Sequence, residues 1–182
     1  YSAICNPHWA GLEFSQPVMY YEFLGTQITS CKRIIMKIAI GSDHAGYNEK
    51  EVIKQQLDQM GVEYEDFGTD SAENSVDYTD FAERVGRVVS SGEAERGILV
   101  CGTGIGVSIA ANKIPGIRAA LAWNAETAKL ARTHNDANIL TIGARTTSME
   151  TIKEIVQTYL TNEFEGGRHT RRIEKIAELE KK

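Results

Sequence analysis

Apolar residues return along this chain at two spacings, and the two alternate. "KIAI" (37–40) is a short apolar run of strand length. Over 47–60, Ile53, Leu57 and Met60 recur at i, i+4 and i+7, and Gly61 supplies a stop, so a helix is predicted there. "VEYEDF" (62–67) alternates with period two, as a strand does. A second helix is predicted from about Thr79, with Phe81, Val85, Val88 and Val89 on one face and Ser90-Ser91-Gly92 closing it. "GILVC" (97–101) is the most apolar run and is expected to be the central strand. A small-residue helix follows at 105–113, ended by Pro115-Gly116. Then come a strand "RAALA" (118–122), a helix at 125–133 and a strand "NILTIG" (138–143). A helix at 148–162 keeps Ile152, Ile155, Val156, Tyr159 and Leu160 in step.

Strands separated by single helices imply βαβ units and a parallel sheet. The expected fold is α/β: a three-layer αβα sandwich on a Rossmann-like, doubly wound, five-stranded parallel sheet. In such sheets ligands bind beyond the carboxyl ends of the strands. Asp43 and His44 follow the first strand, Cys101 ends the third, and Arg145 follows the fifth. A last short helix at 170–180 carries Ile173, Ile176 and Leu179. A terminal amphipathic helix of that length needs a surface to lie on, which points to a dimer.

The 182 residues suffice for one well-packed domain. Residues 1–35 differ from the rest: they hold no Lys or Arg before Lys32, yet contain Tyr1, Trp9, Phe14, Tyr20, Tyr21 and Phe23. They match neither a secretory signal nor an Arg-rich transit peptide. We expect residues 1–35 to be an extension, or an upstream in-frame read, that could pack through its aromatics. The ordinary domain is then 36–182. The net charge of −5 gives no reason to expect nucleic-acid binding, and no apolar run is long enough to span a membrane. An anionic substrate must therefore be caught by a local basic cluster. Cys5, Cys31 and Cys101 form no disulfide framework, which fits a reducing, cytoplasmic setting.

The chemistry gathers where the central strand ends, in "GILVCGTGIG" (97–106). Gly102, Gly104 and Gly106 allow positive φ and close approach of a ligand, and a helix begins directly after them. Its free N–H groups favour negative charge, so Gly102, Thr103, Gly104, Ile105 and Gly106 read as an anion cradle with a thiol drawn towards thiolate at its edge. That combination suits nucleophilic attack, or removal of a carbon-bound proton with the enediolate held by amides. A dinucleotide site is disfavoured, because the third glycine comes one place early and no acidic residue follows at the right distance. A cysteine-phosphatase loop is disfavoured too, since Val107 stands where its arginine belongs. Alternatively, Cys101 is a small buried hydrophobe beside a tight turn.

Other polar groups carry a bland and a functional reading each. Asp43 either caps a helix or serves a site with His44. In "HND" (134–136), His134 suits a helix C-terminus and Asn135 a left-handed cap, or both face a ligand. "GGRHTRR" (166–172) gathers Arg168, His169, Arg171 and Arg172 at a helix start, where cations oppose the dipole unless an anion compensates them. No metal-ligand spacing occurs. These parts favour cofactor-free and metal-free proton transfer on a small phosphorylated carbonyl compound.

"GSDHAG", "CGTGIGVSIAANK", "HNDAN", "GAR" and "EGGRH" together resemble type B ribose-5-phosphate isomerase, of the superfamily that includes the galactose-6-phosphate isomerase subunits. The resemblance covers about residues 36–182. It implies interconversion of ribose 5-phosphate and ribulose 5-phosphate through an enediolate, in the non-oxidative pentose phosphate pathway. Carried onto this chain, Cys101 resembles the base, residues 102–106 the loop that holds the enediolate, and Thr103 a hydroxyl near the reacting oxygens. His134 resembles the group that opens the furanose ring, helped by Asp43. Asn135 resembles a sugar contact, and His44, Arg145, Arg168 and Arg172 match positions that grip phosphate or sugar. The resemblance also implies a homodimer or a dimer of dimers with sites built from both subunits. Thr79 departs from the proline expected there and is taken to cap the helix itself. The alternatives are an isomerase of a six-carbon sugar phosphate, such as galactose 6-phosphate or allose 6-phosphate, with Asn74–Tyr78 and Trp123 setting pocket width, or a non-catalytic sugar-phosphate sensor.

Overall fold

A computed structural model of the chain describes residues 36–181 and the backbone of two short strands before them. Those strands, β1 (Tyr20–Leu24) and β2 (Gln27–Lys32), pair antiparallel. They belong to one compact unit, Tyr1–Ile35, and the remainder is a second, Met36–Lys182. The expectation that the first segment packs through its aromatics falls on side chains outside the described residues.

In the second unit, strands and helices alternate as the periodicities predict: β3 (Lys37–Ser42), α1 (Tyr47–Met60), β4 (Glu63–Asp66), α2 (Tyr78–Ser91), β5 (Arg96–Cys101), α3 (Ile105–Ala111), β6 (Ala119–Leu121), α4 (Ala125–Asn135), β7 (Ile139–Gly143), α5 (Met149–Thr161) and α6 (Thr170–Leu179). The five strands are all parallel, in the order β4-β3-β5-β7-β6. β5 is central and buried throughout, which accounts for its apolar run. Alternate β5 residues face opposite layers. Ile98 and Val100 join Ile53 and Leu57 of α1 and Ile152, Val156 and Tyr159 of α5 in one core. Leu99 and Cys101 join Ala82 and Val85 of α2 and Val107 of α3 in the other. Chain order reverses between β3 and β5, the place where such sheets open a crevice at their carboxyl edge.

Three boundaries differ from the sequence expectation. α2 begins at Tyr78, with Asp77 at the N-cap and no side chain bonded there, so Thr79 lies inside the first turn and is not the cap. α3 stops at Ala111 rather than 113, because Asn112 closes it with backbone bonds to Ala110 and Ser108 carbonyls. α4 runs on to Asn135, and the left-handed residue is Asp136 (φ 44°), not Asn135. The Asp136 carboxylate is held by Arg118 at 2.8 Å and Arg132 at 2.9 Å, which offsets the backbone cost at a residue other than glycine.

Two buried polar groups fix elements next to the site. Tyr159 is wholly buried, donates its hydroxyl to the Ala137 carbonyl at 3.1 Å, and lies between the Arg96 and Arg132 guanidiniums, each 5.9 Å from its ring. Burial pushes its phenol above the ordinary range. Arg96 donates to the Tyr159 and Leu160 carbonyls at the end of α5 and forks onto Glu163 at 2.7 and 2.8 Å. On the other flank Lys50, only 2% exposed, reaches Asp66 at 2.6 Å and the Thr69 carbonyl at 2.9 Å. This pins the start of the 67–77 loop. Burial alone would raise the Asp66 carboxyl, but the Lys50 and Lys54 ammonium groups and the Gly68 N–H outweigh it and hold the group below its ordinary value.

Two outcomes follow, both read by denaturant unfolding. Tyr159→Phe is expected to cost only about 1 kcal/mol, because the Ala137 carbonyl keeps the Arg132 donor at 2.7 Å, whereas Tyr159→Ala costs roughly 3–5 kcal/mol. A carboxyl depressed in the folded state stabilises fully above its unfolded value of about 3.9, and that contribution is lost as pH falls through the lower folded value. Asp66→Asn should therefore lose roughly 3 kcal/mol at pH 7, since a buried ammonium is left with fewer partners, and should show a shallower acid-side decline below about pH 4.

Candidate active site

The loops after β3, β5 and β7 meet at the carboxyl edge. Asp43 is buried; its Oδ1 accepts from the Ala45 and Gly46 N–H groups at 3.0 and 3.1 Å. This is the capping role of the bland reading, and it holds the turn that presents His44. Gly46 lies so close to Val100 that an added Cβ would stand 2.7 Å from its carbonyl, so the turn is pressed onto the end of β5. His44 is half-buried and its Nδ1 accepts from the Val76 N–H at 3.2 Å. An accepting Nδ1 assigns the neutral ring's proton to Nε2, which makes His44 a hydrogen-bond donor to a ligand. The 67–77 loop, anchored by Lys50, brings Val76 to it.

Cys101 ends β5 and is 4% exposed, more covered than a thiol at an open loop edge. The reason is register: its side chain falls on the α2–α3 face, and the glycine loop folds back over it. The Gly104 N–H donates to Sγ at 3.1 Å. Of the three glycines expected to supply positive φ, Gly104 does so (φ +75°), and a Cβ there would stand 2.5 Å from the Leu121 side chain and 2.8 Å from the Ile142 backbone. Gly106 instead makes room for the Tyr78 ring, 2.7 Å from where a Cβ would be. Gly102 lies beneath Arg145, whose backbone N–H donates to the Gly102 carbonyl at 2.9 Å. Thr103 and Ile105 are exposed, and the Ile105 N–H reaches the Thr103 hydroxyl at 3.4 Å. α3 starts without a capping side chain, so the amides of Gly106 and Val107 in its first turn have no side-chain acceptor.

The other candidates gather at the opposite edge. α4 returns from the end of β6 to the start of β7, so His134 and Asn135 lie at the amino edge of the sheet. The His134 ring stacks on His169, centroids 4.3 Å apart and planes 8° from parallel. Arg168 donates through Nε to His169 Nε2 at 3.3 Å. Glu165 Oε2 lies 4.0 Å from His134 Nε2. Burial, and then the nearby His134, Arg168 and Arg172, hold His169 below the ordinary imidazole range, with Glu165 opposing. Asn135, Arg168 and Arg172 are exposed. Glu165 and His169 were missed as site residues: the sequence shows a basic knot at 166–172, and nothing in its spacing signals a ring stacked on His134. Ligand atoms of His134, Glu165 and His169 lie within 4.8 Å of one another. Parallel rings do not converge their lone pairs on one point, and a guanidinium already faces His169, so this trio suits proton handling better than a cation.

One protomer does not unite the two groups. Gly97 pairs with Ile139 and Cys101 with Gly143, so four residues of strand, about 13 Å, separate the edges. A proton relay works at about 3 Å. The pairing of Cys101 with His134, and the help of Asp43 to His134, therefore do not form within one chain. The carboxyl edge brings together Asp43, His44, Cys101, residues 102–106 and Arg145; the amino edge brings together His134, Asn135, Arg168 and Arg172.

The ribose/galactose isomerase family model matches residues 38–176. Ribose-5-phosphate isomerase B of Escherichia coli (strain K12) is 46% identical over 146 residues, covering 80% of this chain and 97% of that protein. The structure of Clostridium thermocellum ribose-5-phosphate isomerase B is 55% identical, covers 80% of this chain and 98% of its own, and superposes with a TM-score of 0.79. That of the Mycoplasma genitalium enzyme, with bound ribulose-5-phosphate, is 41% identical, covers 81% and 97%, and has a TM-score of 0.77. A parallel five-stranded sheet with Cys101 and its glycine loop at the crevice, matched over nearly the whole length of these relatives, makes the chain a member of the ribose/galactose isomerase family.

Proposed function

We propose that this sugar phosphate isomerase interconverts D-ribose 5-phosphate and D-ribulose 5-phosphate, with Cys101 as the base. The observation that carries the reading is the carboxyl edge itself, where a thiol, a backbone donor on its sulfur and an arginine stand together. The names of the relatives and the ribulose-5-phosphate bound in one of them support the same substrate.

Cys101, as thiolate, takes the proton from C2 of the open-chain aldose. The electron pair moves into the C1–C2 bond, and negative charge collects on the C1 oxygen. The amides of the 102–106 loop other than that of Gly104, which is on the sulfur, and the Thr103 hydroxyl meet that charge. One such preorganised donor is worth about 2.7–4 kcal/mol in comparable sites. Cys101 returns the proton to C1 while the O2 proton passes to O1, and these two transfers give the ketose. His134 opens the furanose ring, with Asp43 across from it, and a positioned acid–base group of this kind contributes roughly 10²–10⁴ in rate. His44 through Nε2–H, with Arg145, Arg168 and Arg172, holds the phosphate, and Asn135 holds a sugar hydroxyl. Each step uses side chains and amides alone.

The site is completed by a second copy, whose amino edge faces the first copy's carboxyl edge in a homodimer or a dimer of dimers. Ile105, Ile109 and Trp123 leave 53%, 59% and 62% of their surfaces uncovered near the carboxyl edge. Ile176 and Leu179 of α6 are uncovered as well, at 41% and 64%. Such apolar surface suits an interface.

Cys101→Ala should abolish turnover while ribose 5-phosphate still binds by calorimetry; full activity would remove Cys101 as the base. Turnover compared across ribose, galactose and allose phosphates separates the five-carbon reading from a six-carbon one. Mixing inactive Cys101→Ala with inactive His134→Ala should restore about a quarter of wild-type activity, because half of randomly formed C2 pairs are mixed and each then holds one intact site. No recovery after verified subunit exchange would overturn a site shared between copies.

A further inference from the structure

The segment between α5 and α6 is built to bracket His134. Its start is fastened where Glu163 takes the Arg96 fork, with Arg132 3.6 Å away. Next, the Glu165 N–H donates to the Thr133 carbonyl at 3.1 Å, one residue before His134. Gly166 and Gly167 then both take positive φ, 66° and 58°. Two consecutive left-handed residues turn the chain back, and His169 lands on the face of the His134 ring. One ring face is thus covered by a buried imidazole, and the Nε2 atom is faced by a carboxylate.

The carboxylates nearby have different engagements. Glu163 is taken up by Arg96, and Asp136 by Arg118 and Arg132. Among the described residues, the ion-pair partner of Glu165 is His134, although Arg168 and Arg172 are close enough to bear on the same cluster. Glu165 is itself well exposed, so packing does not account for its placement.

We propose that Glu165 is a positioning residue for His134: it faces Nε2 and supports the imidazolium that forms while the furanose opens. As the C1–O4 bond breaks, O4 takes up a proton and the O1 hydroxyl gives one up to become the C1 carbonyl. His134 carries positive charge between those two transfers, and Glu165 supplies the compensating negative charge in a cluster otherwise made of His169, Arg168 and Arg172. The inference rests on the isomerase reading and on His134 as its ring-opening group.

The test uses the full chain and two substrates. Ribulose 5-phosphate is acyclic, because phosphate blocks the oxygen that would close its ring, so exchange of its C1 hydrogen with solvent needs the base but no ring step. Glu165→Gln should lower kcat on ribose 5-phosphate about tenfold with KM little changed, below the full loss expected of a missing acid–base group. Deuterium entry into ribulose 5-phosphate in heavy water should stay within about twofold of wild type. Glu165→Asp should recover part of the lost kcat. Unchanged kcat, or an equal fall in turnover and exchange, overturns the proposal. If the wild-type protein neither exchanges deuterium into ribulose 5-phosphate nor forms ribose 5-phosphate from it, it is the isomerase reading that fails.

Discussion

Parallel pairing of β5 with β7 governs everything else in this molecule. It puts every strand's carboxyl end on one edge and every helix return on the other, and no local adjustment can bring the two together. Gly97 against Ile139 and Cys101 against Gly143 fix that depth residue by residue. A thiol that ends a strand and an imidazole that ends a helix are therefore held apart by the same hydrogen bonds that make the core. On the proposed reading, a second copy covers the exposed apolar residues near the carboxyl edge and brings the other edge to it.

Charge follows the same division. The protein is acidic overall, yet each buried cation has internal partners: Lys50 has Asp66 and the Thr69 carbonyl, Arg96 has Glu163 and the end of α5, and Arg132 has Asp136 and the Ala137 carbonyl. These hold backbone in place and are not offered to ligands. The exposed arginines at the edges, Arg145, Arg168 and Arg172, pair with no carboxylate among the described residues, Arg168 donating only to His169, and are the ones fit for an anionic substrate. The local cluster that an acidic chain needs in order to bind phosphate is thus split, one arginine on the carboxyl edge and two on the amino edge.

The strands and helices were legible because burial on both faces leaves apolar runs and burial on one face leaves stripes. "GILVC" announced the central strand in this way, and Gly61 and Gly92 marked helix ends that the structure closes with left-handed residues. The carboxyl-edge residues were legible for a related reason: a strand's end can be read directly, and Asp43, Cys101 and Arg145 follow such ends. What could not be read was set by tertiary contact. Asp136 rather than Asn135 is left-handed because Arg118, just before β6, and Arg132, one turn back in α4, hold its carboxylate. Cys101 is covered because β5 places it on the α2–α3 face. A side chain at Gly106 would meet the Tyr78 ring, a contact the sequence does not announce. Glu165 and His169 gain their meaning only when two left-handed glycines fold them over His134, and a sequence pattern does not encode where a reversed chain lands.

On the proposed reading, each edge carries one half of the reaction. The carboxyl edge holds the carbon-acid chemistry, with its base and its donors for the developing oxyanion. The amino edge holds the ring-opening chemistry, with an imidazole set between a carboxylate and a neutral ring. Different backbone devices fix the two halves: a glycine at φ +75° at one edge, paired glycines and an arginine fork at the other. Because the devices are independent, either half can be preorganised before association, and a docking partner need only align two rigid surfaces. That is how a fold which forbids the site within one chain can still hold every group of it to the tolerance that proton transfer demands.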